Sequence, residues 1–149
     1  MSISPAMNDA QLLEAFESLT LPLEQMTHRA HVRLAFACLQ QHSFDEALAR
    51  IRTGIKAFNA HHNVPDGPTS GYNETTTVAF LHLIAATMAA YNGTFQAPDA
   101  DTFCDTHQQL MTRHALRLFY SPQQRMHPDA KTKFIEPDLA PLPEIRTVP

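Results

Sequence analysis

Asn73-Glu74-Thr75-Thr76-Thr77-Val78-Ala79-Phe80-Leu81-His82-Leu83-Ile84-Ala85-Ala86-Thr87-Met88-Ala89-Ala90-Tyr91 holds the longest apolar run of the chain, Val78 to Tyr91, interrupted by His82. In helical projection the apolar residues cover every side rather than one stripe. Such a helix has no face to give to water and belongs at the centre of a fold. Asn73 supplies its N-cap, and Glu74 follows in the first turn, where the helix dipole favours a carboxylate. Asn92-Gly93 ends the helix. The run is too short to span a bilayer.

Outward from this helix the signals remain helical. Only four glycines and few alternating apolar and polar runs argue against a sheet. Asn8 followed by Gln11 resembles a capping box that opens a helix to about Leu19, with Leu12, Leu13 and Phe16 on one face. Thr20 to Gln25 is a Pro-containing connection. Thr27 or a neighbour opens a second helix to about Gln41, and its Leu34-Ala35-Phe36-Ala37-Cys38-Leu39 run is apolar all round. Ser43-Phe44-Asp45-Glu46 is a stronger capping box. It opens a third helix with Phe44, Ala47, Leu48, Ile51, Ile55 and Phe58 at helical spacing and Arg50, Arg52 and Lys56 outward. His61 to Ser70 reads as a loop. A fifth helix covers roughly Asp99 to Tyr120, with a possible break near Asp105, and Ser121-Pro122 starts a short turn. From Glu136 the prolines force an extended tail, laid over the bundle so that Phe134, Ile135 and Leu139 find cover. The expected fold is an all-α, single-domain bundle of about five helices over 1–149, with an extended Pro-rich C-terminal strap over about 136–149.

Composition narrows the function classes. The 149 residues are 44% hydrophobic and 17% charged, which suits one soluble globular domain. Lys and Arg number 11 against 15 Asp and Glu, and they are scattered, so no nucleic-acid footprint is expected. MSISPAMNDAQ has no basic or apolar region of a signal peptide, and a cytoplasmic location without membrane association is the expectation. Cys38 and Cys104 lie far apart in apolar stretches and read as reduced core thiols. The apolar content is compatible with a homodimer, although no exposed stripe marks an interface.

The chemistry-bearing residues gather in two segments. Thr27-His28-Arg29-Ala30-His31 sets two imidazoles one helical turn apart on one face. Two such imidazoles can chelate a divalent metal, which needs at least one further ligand. They can equally be ordinary histidines at a helix end. Glu74 is the candidate third member, as metal ligand, as general base, or as the group that fixes the tautomer of His28 or His31. Against these stands a plain first-turn acid. Thr75, Thr76 and Thr77 offer hydroxyls to a ligand or bond back to carbonyls. Tyr72 is a hydrophobic staple or a site phenol. The candidate catalytic residues are therefore Glu74 and His31, with His28, Tyr72 and Asn73 as ligand contacts. His82 reads as a buried histidine with one hydrogen bond, or as a ligand. His107 or His114 is placed to meet the His pair across a bundle. H-E-x-x-H, E-x-x-H, G-x-S-x-G, G-x-G-x-x-G, the P-loop and P-C-x-x-C are all absent from the sequence.

Thr27-His28-Arg29-Ala30-His31, Ala47-Leu48, Arg52 to Asn59, Gly71-Tyr72-Asn73-Glu74-Thr75, Tyr120-Ser121-Pro122 and Phe134 through Pro143 together resemble a family of small bacterial all-α proteins. Its marks are a T-H-x-x-H helix start, a G-Y-[H/N]-E-T motif and an E-P-D-L-x-P-L-P tail. The resemblance covers most of the chain and implies membership without naming an activity. The family's motif usually reads G-Y-H-E-T, and this chain has Asn73 in place of that His. Asn caps a helix better than His, which favours a structural reading of the position over a metal ligand. Three functions follow from the sequence. One is an enzyme or binding protein with an interhelical His28/His31/Glu74 site and a divalent ion. Another is a metal-free small-molecule binder. The last is a structural or interaction module whose cluster is only a hydrogen-bond network.

Overall fold

Each of the six α-helices opens on a side-chain cap. They are seen in a computed structural model that describes residues 7–91 and 95–146. Asn92-Gly93, the expected end of the fourth helix, lies outside the described residues. In α1 (Asp9–Glu17) the capping box is complete: Asn8 Oδ1 accepts from Gln11 N at 2.8 Å and Gln11 Oε1 accepts from Asn8 N at 3.0 Å. Thr27 caps α2 (His28–Gln41) by accepting from Ala30 N. Ser43 caps α3 (Phe44–His61) by accepting from Glu46 N, but the Glu46 carboxylate turns to His42 Nδ1 at 3.4 Å and leaves that box half made. Asn73 caps α4 (Glu74–Ala90), Asp99 caps α5 (Ala100–Thr106), and Ser121 with Pro122 starts α6 (Pro122–Arg125). No strand occurs among the described residues, only an isolated bridge between Gly67 and Ser70.

Three boundaries differ from the sequence reading. The first helix stops at Glu17, because Leu19 turns into the left-handed region at φ 63°. The third runs on to His61, so this residue is helical rather than in the loop. The largest difference is the fifth helix, which ends at Thr106 and gives way to 3-10 turns at Gln108–Leu110 and Arg113–Leu118. In a continuous helix the Leu110 carbonyl would accept from the His114 amide. Here the Leu110 carbonyl accepts from His28 Nε2 at 2.8 Å, and the His114 amide donates to Thr112 Oγ1 at 3.1 Å. Two side chains take the partners of one helical bond.

The packing puts α4 among α2, α3 and the turn at Arg113–Leu118, as an all-apolar helix requires. Arg52 pairs with Glu74 and Phe44 packs on His82, contacts equally spaced on both helices, so α3 runs antiparallel to α4. His28 packs on Phe80, while Phe36 and Met88 line one small void, so α2 runs parallel to α4. Phe16, Phe36, Phe58, Phe103, Leu81 and Ile84 form the centre of the core. Gly54 of α3 is required there, since a Cβ would stand 2.2 Å from the Phe16 ring. Cys38 and Cys104 are buried free thiols, each pushed up to about 11 by burial. Arg29 joins α2 to α5 through Asp101 and Asp105.

The tail crosses the bundle as an extended strap. Tyr120 Oη donates to the Ile135 carbonyl at 2.7 Å, Ser121 binds both Asp138 oxygens, and Leu139 N donates to the Phe119 carbonyl. Phe134 and Ile135 are half-covered, whereas Leu139, expected to find cover, stays 58% exposed. Among the described residues no helix is long and apolar enough to cross a membrane.

Candidate functional site

Glu74 stands at the mouth of α4, as its cap dictates, but it is already engaged. Arg52 Nε donates to Oε1 at 2.9 Å and Arg52 Nη2 to Oε2 at 2.6 Å, a bidentate pair. Tyr72 Oη donates to Oε1 at 2.5 Å. Lys56 lies 5.0 Å from the centre of the Tyr72 ring. The Arg52 bonds, then Tyr72, hold the Glu74 carboxyl below the usual carboxylate range. Burial and the charge of Glu74 push the Tyr72 phenol up to about 12. A carboxylate bound this way is a poor proton acceptor, so the geometry gives Glu74 a structural task instead of the general-base role. Arg52, expected to point outward, is the residue that sequence reasoning missed. Its signal was present: it follows Leu48 by four residues and precedes Ile55 by three, on the border of the apolar stripe.

The backbone of the same segment is equally complete. The first N–H groups of a helix lack intrahelical partners and can cradle an anion. In α4, Glu74 N donates to the Lys131 carbonyl and Thr75 N to the Ala130 carbonyl, each at 3.0 Å. Thr76 N takes Asn73 Oδ1 and Thr77 N takes the Asn73 carbonyl. Asn73 is thus a cap with its side-chain oxygen occupied. The threonines divide. Thr77 Oγ1 bonds back to the Asn73 carbonyl, while Thr75 is 1% exposed and its hydroxyl faces the tail. Thr75 Oγ1 donates to the Lys133 carbonyl at 2.9 Å and accepts from Ile135 N at 3.1 Å.

His28 and His31 are not joined to this cluster. His28 packs on Phe80, about 9 Å along α4 from Glu74 at a rise of about 1.5 Å per residue. A carbonyl can only accept, so His28 Nε2 carries a proton toward Leu110 and His31 Nδ1 one toward the Thr27 carbonyl at 3.1 Å. Among the described residues no group of three or more His, Cys, Asp or Glu side chains is placed to hold a metal ion. The trio His28, His31 and Glu74 therefore lacks the convergence that a shared ion requires, and each member has another partner. His107 does not reach the pair either. It is buried between Phe103 and Tyr91, and burial lowers its pKa. His114 is exposed. The residues of that segment that act on the pair are Leu110 and Arg113.

Burial, ahead of repulsion from His28 and Arg113, holds the His31 imidazole down at about 4 against the opposing pull of its Thr27 bond. The unfolded imidazole protonates below about 6.5, so between these values the unfolded chain binds more protons. This contribution is fully present above pH 6.5 and is lost as pH falls toward 4. Denaturant titrations at pH 7, 5.5 and 4.5 will show stability falling with pH, and a His31→Gln variant will show a shallower slope. An unchanged slope in the variant would remove His31 as its source.

The remaining histidine of α4 marks a different place. His82 is half-buried rather than inside the core, and its Nε2 donates to the Pro143 carbonyl at 2.6 Å. Beside it a groove of about 530 Å³ opens between the helices and the strap. Phe44, Val78 and His82 form the helical side, and the strap from Phe134 to Leu142 forms the other. The sequence indicated a strap over the bundle, but not that it stands off α4 far enough to leave a cavity. These features define an all-helical bundle with a strap-walled groove. No protein-family model, no curated protein and no solved structure matches the chain.

Proposed function

We propose that this protein binds a small molecule in the groove between its C-terminal strap and the α3–α4 pair. One observation carries the reading: a cavity of about 530 Å³, walled mainly by apolar side chains, with few polar groups. Small-molecule sites commonly measure about 300–1,000 Å³ and have this kind of lining. Two walls stand on helices, which fix side chains better than loops do. On this reading the G-Y-N-E-T segment holds the fold that presents the groove. The bacterial family resemblance then rests largely on fold-bearing motifs, which explains why those motifs suggest no chemistry.

A second reading has its own support. The saturated Glu74, Arg52 and Tyr72 network is what a structural or interaction module would contain. A divalent ion on His28, His31 and Glu74 has less support, because Arg52 already neutralises the carboxylate and no third ligand joins the histidines. Thermal-shift screening of small molecules separates the readings. A groove ligand at about 100 times its Kd stabilises by about 2.7 kcal/mol. Val78→Trp will fill the groove and abolish that shift while far-UV circular dichroism stays native. A shift that survives Val78→Trp places the ligand elsewhere and overturns the proposal.

A further inference from the structure

We infer that the groove selects a small amphipathic cation, an apolar body ending in an ammonium or amidinium group, recognised at Glu136. This inference rests on the groove reading above and adds the charge of the ligand. The apolar part of the lining comes from Phe44, Val78, Phe134 and Leu142. The ionisable side chains that line the groove are His82, Glu136 and Asp138, with no Lys or Arg among them. Asp138 is committed: Oδ1 accepts from Ser121 N at 2.8 Å and Oδ2 from Ser121 Oγ at 2.6 Å, and these bonds keep its carboxyl low and charged. Glu136 differs. Its backbone carbonyl accepts from Gln124 Nε2 at 2.7 Å, which fixes the residue in the strap. Among the described residues its carboxylate makes no ion pair and no hydrogen bond. Arg125, whose charge reaches the neighbouring Tyr120 hydroxyl, neither lines the groove nor pairs with Glu136 among the described residues.

His82 does not offset the two acids. Its Nε2–H is spent on the Pro143 carbonyl, so the neutral ring has only an acceptor, Nδ1, to offer. The side-chain polar groups of the wall therefore lack a free donor while one anion is uncompensated. A carboxylate or phosphate ligand would meet repulsion and no donor. A cation would meet a partner already positioned, and its apolar body would cover the aromatic and proline walls.

Three probes of one shape test this: 3-phenylpropylammonium, 3-phenylpropan-1-ol and 3-phenylpropionate, titrated into the full chain by NMR at low and high salt. The ammonium is expected to bind about 5-fold tighter than the alcohol, the scale of one exposed charge contact, and the carboxylate weakest. Glu136→Gln keeps the backbone bond to Gln124 and will erase the difference between ammonium and alcohol; added salt will do the same in the native chain. Equal binding of all three probes, or preference for the carboxylate, overturns the cation inference and leaves the groove reading standing. A cation preference unchanged in Glu136→Gln overturns the assignment to Glu136. If none of the probes shifts resonances of groove residues, or if Val78→Trp binds them unchanged, the inference fails together with the reading beneath it.

Discussion

Arg52→Met will lower the stability of the protein by about 2 kcal/mol at pH 7, measured by denaturant titration. The figure lies between two limits. Exposed ion pairs contribute about 0–1 kcal/mol, and breaking a buried pair costs about 3–5 kcal/mol. The Glu74 side chain is 13% exposed and that of Arg52 35%, so the carboxylate left behind is mostly desolvated while the lost guanidinium was partly in water. Tyr72 remains to the orphaned carboxylate, which holds the cost below the buried limit. Glu74→Gln alone will cost less, since the amide can still accept from Arg52. The Arg52→Met/Glu74→Gln double variant will cost less than the sum of the two, because the interaction is lost once. Strict additivity would show that the pair contributes nothing as a pair. The acid limb follows the same contact. The folded Glu74 carboxyl lies below its ordinary 4.5, so its stabilisation is present above that pH and is lost as pH falls through the folded value. Arg52→Met will flatten this limb.

What could be read from the sequence divides along the range of the interactions. The caps at Asn8, Thr27, Ser43, Asn73 and Ser121 were legible because a cap bonds within its own first turn. The central position of α4 was legible because a helix without a polar side leaves few alternatives. The break after Thr106 depended on His28, distant in sequence, claiming the Leu110 carbonyl, which no local pattern records. Arg52 and Glu74 belong to different helices, and binary patterning sends any Arg to solvent even on the border of the stripe. The Arg29 network left a trace in its spacing, because Arg29 and Arg33 stand one turn apart, as do Asp101 and Asp105. The groove left none. It exists because the strap is fixed at Thr75, Tyr120, Ser121 and His82 while its middle stands clear of the helices between them.

That geometry makes Thr75→Val the second large perturbation. Valine keeps the shape of threonine and removes the hydroxyl, so packing survives while the Lys133 carbonyl and the Ile135 amide lose a partner. Leaving a covered polar group unpaired costs about 1–3 kcal/mol, so we expect a loss of about 2 kcal/mol. Thr75→Ser, which restores the hydroxyl, will recover most of it. The backbone bonds from Glu74 N to Lys131 and from Thr75 N to Ala130 remain, and they tether the strap upstream of the lost contact. The effect will therefore be local. Hydrogen exchange will quicken at Ile135 and at Leu139, whose amide bonds to the Phe119 carbonyl further along the strap, while amides in the middle of α4 stay protected. If the strap forms one wall of a binding site, the same variant will weaken any groove ligand although Thr75 does not line the groove. Tyr120→Phe removes the strap's other buried anchor, the bond to the Ile135 carbonyl, and will weaken the ligand in the same direction. Unchanged protection at Ile135 in Thr75→Val would mean that the hydroxyl serves α4 alone and that the strap is held by its remaining anchors. Faster exchange with unchanged ligand affinity would separate the strap from the site, and the groove would then be a by-product of how this chain covers its central helix.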